Sequence, residues 1–127
     1  ESDGKAVADV AVAAVTLDSK GKIVKLTIDA VQTRVEFDGQ GEILSDLEAD
    51  VLSKREMGAD YGLKKSSSLG KEWDEQIAAF EEWAVGKDAA TVLAMTDPSQ
   101  DETLSTQVDL DLTPYLKALE KAVENAK

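Results

Sequence analysis

The sequence predicts an α+β fold in a single domain of 127 residues: a mainly antiparallel sheet with helices packed on one face. Three observations predict it. Residues 22–32 alternate, with Val24, Leu26, Ile28 and Ala30 on one face and Lys25, Thr27 and Asp29 on the other, the period of a half-buried strand. Over residues 71–85 the period becomes 3.6, so that Trp73, Ile77, Phe80 and Ala84 share a helix face with Glu75 and Glu82 opposite. Near the end, Thr113-Pro114 reads as an N-cap followed by the first helical position, and Tyr115, Leu116, Leu119, Val123 and Ala126 make the buried stripe of a last helix.

The remaining elements follow in order. Residues 1–5 form an N-terminal tail, and the chain opens without a signal peptide, as a mature or trimmed chain does. Residues 6–17 are small and apolar with one charge, Asp9. They suit a strand buried on both faces, with a helix as the alternative that the alanines allow. Asp18-Ser19-Lys20-Gly21 is a turn that folds the second strand back on the first. Thr33, Val35 and Phe37 shift the apolar pattern to the opposite parity, which a bulge or a bend near residues 30–32 would reconcile. Asp38-Gly39-Gln40-Gly41 is a second turn, before a short strand over 42–47 and a short helix over 50–57. Residues 58–70 read as a loop and Gly86 as a helix stop. Asp88 caps a brief helix to Met95, residues 96–101 are loop, and Val108, Leu110 and Leu112 alternate with Asp109 and Asp111 as one more strand, the two aspartates on its solvated face.

Composition removes several functions. The net charge of −12 disfavours nucleic acid and anionic membrane surfaces. No apolar run is long enough for a transmembrane helix. The chain has no histidine and no cysteine, which excludes Ser-His-Asp and Cys-His catalysis, Cys/His zinc sites and His-ligated haem built from its own residues. Asp97, Asp101 and Glu102 are acidic neighbours, but their spacing is not that of an EF-hand loop.

One stretch stands apart. Residues 54–71 hold five cations against two acids, a balance of +3, while the remaining nine cations face 24 acids, a balance of −15. This island contains Lys64, Lys65, Ser66, Ser68 and Lys71 and runs into a helix N-terminus, where free N–H groups attract anions. It is either an anion site or a solvated loop that balances an acidic surface. Tyr61 and Trp83 offer rings on which a planar ligand can stack, while Trp73 and Phe80 read as core. Gln32, an amide on an apolar strand face, either bonds the loop backbone or points into a pocket between sheet and helix. The candidate ligand-binding set is therefore Gln32, Tyr61, Lys64, Lys65, Ser66, Ser68, Lys71 and Trp83, for a small anionic or planar ligand; no catalytic or metal-ligating set emerges.

The run LDSKGKIVKLTIDAVQTRVEFDGQGEI, followed by EMGADYGLKKSSSLGKEWDEQIAAFEEWAVGK, resembles a group of extracytoplasmic, often lipid-anchored proteins of Gram-positive bacteria that are similar in fold to FMN-binding domains. The resemblance covers roughly residues 6–126 and is strongest in DSKGKIVKLTIDAVQT, DYGLKK and GKEWDEQ. It implies export, a lipid anchor on a cysteine outside this sequence, a cell-surface location, and a flavin or another small ligand. Covalent FMN attachment in that family uses a Ser/Thr-Gly-Ala-Thr run, which this sequence lacks, so any FMN would be held non-covalently. The expected function is a non-enzymatic small-ligand-binding or interaction domain of a surface lipoprotein. The alternatives are a flavin-binding electron carrier and a structural module without a ligand.

Overall fold

The computed structural model describes residues 4–44 and 52–126. Strands β1 (Gly4–Leu17) and β2 (Ile23–Phe37) form a long antiparallel hairpin. Helices α1 (Lys54–Met57), α2 (Trp73–Ala84), α3 (Ala89–Leu93) and α4 (Thr113–Asn125) follow. The fold is α+β, as the sequence predicts, with α4 packed on β1 and α2 on β2.

The hairpin turn is set by Asp18. Its carboxylate accepts from the N–H groups of Lys20 (2.8 Å) and Lys22 (2.9 Å), and Gly21 supplies a φ of 81°. Asp38 builds the second turn identically, accepting from Gln40 (2.9 Å) and Glu42 (3.0 Å), with Gly41 at φ 89°. Beyond it Ile43 bridges back to Phe37, and this bridge is all of the 42–47 strand that lies among the described residues. Residues 45–51 lie outside them, as does the first part of the helix expected over 50–57.

The core joins Ile23, Leu26, Ile28 and Ala30 of β2 to Trp73, Ile77, Phe80 and Ala84 of α2 and to Tyr115, Leu116, Leu119 and Val123 of α4. The expected face of α2 is thus buried in full, and Glu75 and Glu82 are exposed. Trp73 lies at the centre, its ring edge-on to Tyr115 at 5.8 Å and its Nε1 donating to the Tyr115 hydroxyl at 2.9 Å.

Several expectations are corrected. Gly4 and Lys5 are not tail: they pair with Phe37 and Glu36, and a Cβ at Gly4 would stand 2.5 Å from the Phe37 ring. β1 is not buried on both faces. Ala11, Ala13, Val15 and Leu17 face the helices, while Ala6, Ala8, Val10, Val12 and Ala14 are exposed and carry no layer among the described residues. The bulge is not near residues 30–32. It lies where Leu17 pairs with Ile23 and Thr16 with Lys25, so that Val24 is the extra residue, turned out to 54% exposure while Ile23 is buried. The parity change after Ala30 involves no bulge: the pairing stays in register to Phe37, and among the described residues the ribbon there runs past the helices.

Residues 108–112 are not a strand. The Asp109 N–H donates to the Gln76 side chain at 2.8 Å, and Leu112 leads directly into α4, so side chain and helix replace a neighbouring strand. Val108 and Leu112 are buried as the alternation implies. Helix α4 begins at Thr113 rather than at Pro114, and Ala126 is exposed past its end. The 58–70 loop contains two 3-10 turns, Gly58–Tyr61 and Leu63–Lys65.

Candidate functional site

The basic island does not act as one patch. Its five cations take three different environments, set by the short helix α1 and the turns after it.

Helix α1 is fixed by a capping box: Ser53 Oγ accepts from the Glu56 N–H, and Glu56 returns the bond to the Ser53 N–H. From this fixed turn Arg55 and Lys54 reach different partners. Arg55 turns to β2, pairs with Glu81 and donates from Nε to the Ile28 carbonyl at 2.8 Å. Lys54 lies over the Tyr61 ring (4.8 Å) and near the Trp73 ring (5.7 Å). Burial works against its charge. The hydrogen bond to Tyr61, with Tyr115 and Asp9 close by, outweighs burial and holds the ammonium above its ordinary pKa.

Lys54 also lines a cavity of about 270 Å³ between the hairpin and the start of α4. Its polar groups are Asp9, Gln32, Lys54 and Tyr115, and Val10, Ala11, Ala30 and Pro114 complete the wall. Gln32 therefore lies at a pocket, and Tyr61 supports the cation that faces it.

The rest of the candidate set lies elsewhere. Lys64 and Lys65 are exposed on the Leu63–Lys65 turn, and Ser66 Oγ donates to the Leu63 carbonyl at 3.1 Å. Ser67 and Ser68 each donate to Asp109 Oδ2 at 2.8 Å, and the Leu69 N–H points to the same oxygen at 3.3 Å. Burial pushes the Asp109 carboxyl up, but these donors and Gln76 outweigh it and hold it at about 2. The N-terminus of α2 is occupied too: Glu72 and Glu75 form a capping box there, and Glu72 accepts from the Lys64 N–H at 3.2 Å. Ser67, Ser68 and the backbone N–H groups at the start of α2 thus hold the chain's own carboxylates. Lys71 is half-buried, and its carbonyl accepts from Gln76 at 3.3 Å.

Trp83 is enclosed by its own neighbours. One face stacks on Phe80 at 5.8 Å, the Lys87 ammonium lies 4.5 Å from its centroid, and Nε1 donates to Asp101 at 3.3 Å. A second cavity, of about 520 Å³, brings Ser68 together with Asp97, Asp109 and Asp111. All three carboxyls are held below their usual range by hydrogen bonds from the chain, so this hollow is negative. Asp97 accepts from Ser99 and Asp101 from Leu104, so both serve as loop caps.

The sequence reading missed Asp9, Lys54 and Tyr115 as cavity residues. Asp9 had a signal, as the only charge between Ala6 and Leu17. Lys54 was visible as an island cation, but nothing in its spacing tells that it turns inward.

No family model matches the chain, and no solved structure matches it. It is similar to a chlorophenol reductase of Desulfitobacterium hafniense, 35% identical over 95 residues that take in 66% of this chain. The match spans 29% of that relative's length.

Proposed function

We propose that this chain is a non-enzymatic module that binds a small planar anion in the cavity beside Lys54, within an extracytoplasmic surface protein. The carrying observation is Lys54 itself: a half-buried ammonium held over two aromatic rings, beside a concave apolar wall with an amide, a phenol and the Asp9 carboxylate on its rim. Binding sites combine such a wall with a few fixed polar groups. A volume of about 270 Å³ suits a single aromatic ring rather than an enclosed flavin. A phenolate or an arene carboxylate has that size and charge, and the relative's name, a reductase of chlorophenols, supports this class. The surface location rests on the family resemblance alone.

The net charge of −12 repels anions at long range, so affinity is modest and the salt dependence strong. Calorimetry with chlorophenols and hydroxybenzoate tests the reading. Lys54→Met keeps the apolar stem over Tyr61 and Trp73 and is expected to weaken binding at least tenfold, and Gln32→Ala by less. Lys64→Ala with Lys65→Ala and Lys71→Ala should change mainly the salt dependence. Absence of binding below millimolar, or equal binding by Lys54→Met, refutes the proposal.

The word reductase in the relative's name favours a second reading, a non-covalent flavin-binding electron carrier. Purified protein with absorbance near 450 nm that co-elutes with released FMN would support it over the first.

A further inference from the structure

The free edge of β1 carries an inference about assembly. Ile28 lies opposite Ala13, and its N–H and C=O both turn away from β1, to Glu81 and Arg55. Ala13 therefore turns its own groups to the far side, and by alternation so do Ala11, Asp9, Val7 and Lys5. Among the described residues no hydrogen bond reaches these groups at Lys5, Val7 or Asp9. The strand carries no proline, the one bulge of the ladder lies in β2 at Val24, and Val7, Val10 and Val12 are 42–56% exposed, so that Lys5 and Asp9 are the charges along this edge.

We propose that β1 pairs antiparallel with β1 of a second copy, so that two hairpins join into a four-stranded sheet. The charges choose the register. With Val7 on the two-fold axis, Lys5 of each copy lies directly opposite Asp9 of the other, on the same face of the sheet. Outward-turned groups then meet outward-turned groups, as a hydrogen-bonded antiparallel pair requires. An axis at Asp9 would instead set two carboxylates against each other. A second copy is therefore complementary to this edge in backbone and in charge.

Sedimentation velocity and light scattering over micromolar to millimolar concentrations test this. The wild type is expected to form a concentration-dependent dimer. Val7→Pro removes an outward N–H and should leave a monomer whose circular dichroism is unchanged. Lys5→Asp and Asp9→Lys should each shift the equilibrium toward monomer, and the two together should restore the dimer. A wild type that stays monomeric throughout overturns the proposal. So does a Val7→Pro variant that still dimerises, or a double swap that fails to restore what the single swaps lose.

Discussion

Arg55 and Glu81 together stand in for a third strand along β2. The Glu81 carboxylate accepts the Ile28 N–H at 2.5 Å, Arg55 donates to the Ile28 carbonyl at 2.8 Å, and the two side chains pair with each other. Both outward backbone groups of a core residue are satisfied without a neighbouring strand. The same ring of bonds ties α1 and α2 to the sheet.

Removing either partner strands the other and uncaps Ile28. Glu81→Ala and Arg55→Ala are each expected to cost about 2–3 kcal/mol, less than for a fully buried pair because Arg55 keeps some contact with water. Urea denaturation measures it. The double variant should cost clearly less than the sum of the single ones, and strict additivity would show that the two act separately.

Trp73 is expected to be the costliest single truncation. It is 1% exposed and bonded to Tyr115, so Trp73→Ala should destabilise by roughly 3–5 kcal/mol. Tyr115→Phe, which removes only the hydroxyl, should cost about 1 kcal/mol. A loss under about 1 kcal/mol for Trp73→Ala would contradict its place in the core.

Asp109 gives the stability a pH dependence of known sign. Its folded pKa of about 2 lies below the ordinary value of 3.8. The contribution is therefore complete above the unfolded value and is lost as pH falls through about 2. Ser67→Ala with Ser68→Ala should raise the Asp109 pKa, followed by carbon-detected NMR, and should flatten the fall in stability across that window. An unchanged pKa would show that the two hydroxyls do not hold the carboxylate.

The chain is expected to give no electrophoretic shift with duplex or single-stranded DNA at physiological salt. The island's +3 is divided among Glu81, the Tyr61 ring and solvent, and the remaining −15 surrounds it.

The parts legible in the sequence are those with a strict local period. Trp73, Ile77, Phe80 and Ala84 mark α2, and Asp18 with Gly21 marks the hairpin turn. Val24 misled because a one-residue bulge reverses every side chain beyond it, and no residue type announces a bulge at Thr16. The 108–112 alternation misled because two-residue periodicity also fits an irregular segment anchored at Val108 and Leu112. The site was less legible than the fold. Ser67 and Ser68 look available to any anion until Asp109, some forty residues on, is folded against them, and Lys54 shows its inward turn only once Ser53 caps α1.

The hairpin also makes the molecule mechanically directional. The core residues of β2 end at Ala30, and the seven further residues to Phe37 extend the ribbon by roughly 23 Å at about 3.3 Å each. Gly4 and Leu44 both lie at its tip, beside Phe37 and Glu36. Tension between those two points peels the ladder one rung at a time. Tension between Gly4 and the helical body runs along the strand axis and loads the rungs together in shear. The same ribbon therefore yields readily to one pull and resists the other.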